Sequence, residues 1–123
     1  MNIYEFFDQI DGQSINLQFI EQIEQLYEVE LSDSIKKTLS VKPEGEFIES
    51  DDILRLLSHE EILDASQDLS VDFIKMKLIP ILDTGDNDYI VFDLEGGFWY
   101  KFNIVDAVKY KQRQSLTEYF RKK

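Results

Sequence analysis

Residues 88–104 constrain the fold more than any other stretch of the chain. Asp88 to Leu94 and Phe98 to Ile104 are strand-length runs rich in aromatic and β-branched side chains. Glu95-Gly96-Gly97 stands between them, and such a glycine-containing break between two alternating runs predicts a β-hairpin. In the second run Phe98, Tyr100, Phe102 and Ile104 share one face, and Trp99, Lys101 and Asn103 share the other. The expectation is a hairpin with one face buried. Trp99 then has two readings. Under a cover of helices it is core; left exposed, it is the residue type that dominates protein interfaces.

A second apolar run, Met76 to Leu82, precedes this hairpin and contains Pro80. Proline cannot donate to a sheet ladder, so the strand is expected at an edge or bulged at that point. Further upstream, Phe47-Ile48 and Ile53 to Leu57 read as short extended segments, the latter also compatible with one helical turn. Strands joined by short connections pair antiparallel.

The remainder is helical. Ile3, Phe6, Phe7 and Ile10 mark one helix face, closed by Asp11-Gly12, and Phe19, Ile20, Ile23, Leu26 and Tyr27 mark a longer one. Ser32 caps a third helix with Ile35 and Leu39 inside, and Lys42-Pro43-Glu44-Gly45 is turn chemistry. Ser58 and Glu61 form a capping box that opens a helix from about His59 to Ser66. Residues 67–75 carry little pattern. Ser115 and Glu118 open a short terminal helix anchored by Leu116, Tyr119 and Phe120. Helices that bury their stripes on such a sheet give an α+β fold, a mostly antiparallel sheet flanked by helices, in a single domain over residues 1–123.

Charge narrows the range of functions. The chain of 123 residues holds 13 Lys+Arg and 25 Asp+Glu, a net charge of −12. Residues 101–123 carry seven basic and two acidic side chains, a local +5, so the first hundred carry −17. Such a surface disfavours nucleic acid and anionic membranes; it reads first as a solvated acidic exterior and second as a face that steers a cationic protein partner. The basic end reads as a solvated helix with its aromatics turned inward. There is no cysteine, so disulfides, thiolate metal sites and thiol nucleophiles are excluded. With neither a targeting signal nor a membrane-length apolar run, the expected location is cytoplasmic.

Few residues suggest catalysis. His59 is the single histidine, at the start of a capped helix, and is expected to lie on the surface. The loop Asp83-Thr84-Gly85-Asp86-Asn87-Asp88 concentrates carboxylates, but its spacing differs from a calcium-binding EF-hand loop. It reads first as a connection in which Asp and Asn cap backbone groups and Gly85 takes positive φ. Partner contact is the next reading, and a cation site, serving an enzyme or sensor, the third.

The order of motifs resembles the SUKH superfamily. Leu54-Arg55-Leu56-Leu57-Ser58-His59-Glu60-Glu61-Ile62-Leu63 looks like that family's strand running into a capped helix. Leu78 to Asp93, with its proline-containing strand, Gly/Asp/Asn loop and following strand ending in Asp, looks like its second signature. Phe98 to Ile104 and Ser115 to Phe120 resemble the next strand and the closing helix. The likeness covers roughly residues 15–123. It departs at Leu31-Ser32, where the family often shows Leu-Pro, and at Lys42-Pro43-Glu44-Gly45, where an Asn-Gly-Gly segment is common.

The resemblance implies no enzymatic activity, no cofactor and no metal. It implies an immunity protein that neutralises a cognate toxin, often a nuclease, or else a regulatory scaffold that binds an endogenous partner. On this reading the expected contact residues are Asp83, Asp86, Asp88 and Asp93, with Tyr89 and Trp99 as anchors. Asp51, Asp52, Glu60 and Glu61 are an alternative acidic face.

Overall fold

A computed structural model describes residues 3–41, 46–49 and 52–120. Three helices come first: α1 (Ile3–Gly12), α2 (Leu17–Tyr27) and α3 (Asp33–Ser40). Strands β1 (Glu46–Glu49) and β2 (Asp52–Leu56) follow, then α4 (His59–Asp68) and α5 (Phe73–Met76). The chain continues through β3 (Leu78–Gly85), β4 (Asp88–Asp93), β5 (Trp99–Asn103) and β6 (Val108–Arg113) to a 3₁₀ turn at Leu116–Tyr119. The fold is α+β. Its six strands form one antiparallel meander in chain order, β1-β2-β3-β4-β5-β6. The turn expected at Lys42-Pro43-Glu44-Gly45 lies outside the described residues, as does Asp51.

The caps act where the side-chain chemistry places them. Asn16 accepts from the Phe19 N–H at the start of α2, and Ser32 from Ile35 at the start of α3. Ser58 and Glu61 exchange both bonds of a capping box, 3.1 and 3.0 Å. Residues 53–56 are extended, which settles the strand-or-helix ambiguity there in favour of β2.

Pro80 is accommodated in the way a missing N–H requires. The contact between β2 and β3 ends with the Leu57 N–H on the Ile81 carbonyl, so β2 stops short of the proline. Beyond this point the register to β4 slips between Pro80 and Leu82, with one extra residue on β3. The strand is thus interior in the sheet yet locally an edge, and bulged.

The hairpin expected at 88–104 is present as β4–β5, but it is buried on both faces rather than one. Trp99 and Phe102, three residues apart on a regularly paired strand, point to opposite sides of the sheet, and are 5% and 0% exposed. Phe102 meets Phe73 of α5, with ring centroids 5.5 Å apart. Trp99 meets Phe92 at 5.1 Å and shares a groove with Phe7, Ile10, Ile35 and Leu116. Helices therefore cover both sides of the central strands, and the unbroken apolar run Leu78–Leu82, buried throughout, is the sequence sign of that double cover.

Two segments depart from expectation. The weakly patterned stretch hides α5, a single turn capped by Asp72 through the Lys75 N–H; Lys77, at φ 59, ends it before β3. The basic segment after residue 104 is not a helix. Val108–Arg113 is the edge strand β6, exposed at every position except Tyr110, which is half-buried. Its register to β5 slips by one residue, next to Lys111 at φ 52. An edge strand wet on both faces carries only one apolar alternation, Val108 and Tyr110, too short to announce it. Lys109, Lys111 and Arg113 at every second position were the available signal, since charges of this kind guard sheet edges.

Candidate functional site

The carboxylates of β3 and β4 are largely occupied by the fold itself. Asp86 and Asn87, both at positive φ (54 and 66), form the two-residue turn between β3 and β4, the left-handed pair that a type I′ hairpin needs. Gly85 takes φ 86, and its N–H donates to Asp83 Oδ1 at 2.9 Å. Asp83 also faces Arg55 at 3.5 Å. Asp88 accepts from Asn103 Nδ2 at 3.0 Å. Burial, together with a hydrogen bond to Asp88, pushes the Tyr110 phenol up to about 12.

Asp93 is buried. Its Oδ1 accepts the N–H groups of Glu95 and Gly96 in the β4–β5 turn, and Lys109 lies 3.5 Å from its other oxygen. Tyr89 and Trp99 are 8% and 5% exposed. The six residues expected to form one contact surface are therefore not brought together as one. Only Asp86 is fully exposed, at the hairpin tip. Asp93 and Tyr89 serve the interior, and Trp99, 5% exposed, faces the groove it shares with Phe7, Ile10, Ile35 and Leu116, because turns need acceptors and a doubly covered sheet takes in its aromatics.

The carboxylates of the Asp83–Asp88 loop point to different partners. Among the described residues no three acidic or histidine side chains converge as a metal ion requires.

Beside the hairpin lies an ion-pair cluster. One nitrogen of Arg55 reaches both Glu61 oxygens at 2.7 Å while its second nitrogen reaches Asp83. Burial works against the Glu61 charge, but the Ser58 N–H and Arg55 outweigh it and hold the carboxyl below its usual range. Tyr89, raised by burial and then by Asp83, closes a polar cavity of about 60 Å³ together with Leu57, Ala65, Asp68 and Leu69. That is room for water rather than for a substrate. The alternative face built on Glu60 and Glu61 is likewise divided: Glu60 is exposed, whereas Glu61 is tied to its cap and to Arg55. Asp52 lies in β2.

His59 is half-buried rather than a free surface residue. Its ring stacks flat on Phe19, 3.9 Å between centroids and 3° between planes, joining the start of α4 to α2.

The charge exposed on the helices is nearly all of one sign. Among the described residues of α1 to α5, every fully exposed charged side chain except Lys75 is acidic: Glu5, Asp8 and Asp11 on α1, Glu21 on α2, Asp33 on α3, and Glu60, Asp64 and Asp68 on α4. The opposite sign is concentrated on β6. Composition announced this imbalance, but the assignment of acid to helices and base to a sheet edge depended on recognising β6.

Sequence comparison finds no matching family model, and neither a curated protein nor a solved structure gives a significant match. No described helix is long and apolar enough to cross a membrane.

Proposed function

We propose that this chain is a non-enzymatic protein-binding domain, an immunity protein that captures a cognate basic toxin, such as a nuclease, and occludes its working surface. The observation that carries the reading is the sign of the exposed helical charge: acidic on α1, α2, α3 and α4, on a chain of net charge −12. Long-range attraction accelerates encounter with a cationic partner and is screened as salt rises. The resemblance of Leu54–Leu63 and Leu78–Asp93 to SUKH segments supports the same reading. The setting proposed is the cytoplasm, with no cofactor.

The test is a pull-down with the products of neighbouring toxin genes, followed by association kinetics between 20 and 500 mM salt. The expected result is a stoichiometric complex whose association rate falls steeply with salt. Retention of no basic protein at low salt defeats the proposal. A partner held with no salt dependence points instead to a regulatory scaffold.

A further inference from the structure

We infer that the groove between α1, α3 and the 3₁₀ turn is the docking site for a segment of a partner protein in which an apolar side chain is flanked by lysine or arginine. This deepens the proposed function and rests on its premise of a cationic partner. The groove encloses about 420 Å³, within the range of clefts that hold side chains or small ligands. Its apolar lining comes from four elements: Phe7 and Ile10 of α1, Ile35 of α3, Trp99 of β5 and Leu116 of the 3₁₀ turn. Among the described residues, the charges that line it are Asp8 and Asp11, both exposed.

The choice of occupant follows from this combination. Apolar walls gain from burying an aliphatic or aromatic side chain, and the two carboxylates on the α1 side favour cations beside it. An acidic segment would meet like charge, which costs affinity and suppresses wrong partners. The other rim, formed by Ser34, Gln114 and Thr117, is polar and uncharged, and can hydrogen-bond a peptide backbone without opposing the cations. The carboxylates of α4 lie across the sheet from this groove, because Trp99 and Phe102 point to opposite faces.

Trp99 is the only tryptophan, so its emission reports on the groove directly. The full chain is titrated with a nine-residue peptide of alternating Lys and Leu, with heat of binding recorded in parallel. The same is done with a Glu/Leu peptide of equal length. Expected is a saturable change in Trp99 emission with the Lys/Leu peptide and none with the Glu/Leu peptide. D8N with D11N, and separately T117K, weaken binding about tenfold, while D64N with D68N changes it less than about twofold.

Heat of binding without any change in Trp99 emission overturns the groove assignment while leaving the cationic-partner reading intact. No binding of the cationic peptide at 20 mM salt overturns both. Emission that changes with protein concentration alone assigns the groove to a second copy of the chain and overturns the proposal. Equal weakening by D64N with D68N reduces the effect to net charge and does the same.

Discussion

The carboxylates of the sheet and those of the helices are the same chemical group in opposite employment. In the sheet, Asp93 holds two turn N–H groups and faces Lys109, Asp83 holds the Gly85 N–H and faces Arg55, and Asp88 takes Asn103. On the helices, Asp8, Asp11, Glu21 and Asp64 are exposed to solvent. A carboxylate surrounded by donors fixes backbone; one left in water sets the potential a partner meets. An acidic composition therefore contains two populations, and the proposed recognition rests on the second.

Replacement should separate them by size and by sign. The largest effect is expected for Asp93→Ala, which leaves two part-buried turn N–H groups without their acceptor and Lys109 without its partner and costs about 1.5 kcal/mol in denaturant unfolding; Asp93→Asn, which keeps an acceptor oxygen, should recover part of it. Next comes Glu61→Gln, costing about 1 kcal/mol through a weakened capping box and the lost charge on Arg55. Because the folded protein holds Glu61 below the ordinary carboxylate range, its contribution is complete above the unfolded pKa near 4.5 and is lost as pH falls through the lower folded value. Unfolding curves from pH 7 to pH 3 should therefore fall less steeply for Glu61→Gln than for the parent.

Asn87→Gly should reverse the sign, raising stability by about 0.5 kcal/mol, since Asp-Gly suits the left-handed turn better than Asp-Asn. The smallest effect is expected on a helix. Asp11 lies at the C-terminal end of α1, where the helix dipole disfavours negative charge, so Asp11→Asn should stabilise by about 0.3 kcal/mol in the same unfolding assay. If it also weakens the cationic peptide, that carboxylate is kept for contact at a small cost in stability. Destabilisation by Asp11→Asn as large as that of Asp93→Ala would erase the distinction between the two populations.

What the sequence disclosed follows the same division. Caps and central strands are legible because their signals are local: Ser58 with Glu61, or five consecutive buried residues from Leu78 to Leu82. Helix α5 is a single turn, too short for a period, and its one strong demand, the burial of Phe73 against Phe102, is tertiary. Strand β6 is misread as helix because its apolar alternation is limited to Val108 and Tyr110. The expected contact residues are dispersed for a related reason. Sequence supplies the positions of Asp93, Tyr89 and Trp99 but not which face the helices cover, and double cover turned all three inward. Asp86 stayed outside because a type I′ tip projects from the sheet. The groove beside Trp99 draws on α1, α3, β5 and the 3₁₀ turn, segments scattered from Phe7 to Thr117, and no linear motif marks it.

The unbroken meander has a kinetic consequence. Apart from β2 and β3, which α4 and α5 separate, each strand finds its partner next door in the chain, so the sheet can zip outward from the β4–β5 hairpin through mostly local pairings, the kind of assembly associated with rapid folding. The longest-range contact among the described residues joins α1 to the 3₁₀ turn: Tyr4 donates its hydroxyl to the Phe120 carbonyl at 2.9 Å, and Phe7 meets the Phe120 ring at 5.8 Å. This clasp spans nearly the whole chain and so pays the largest loop-closure entropy. It should form last, open first, and set how readily α1 lifts from the rest of the molecule.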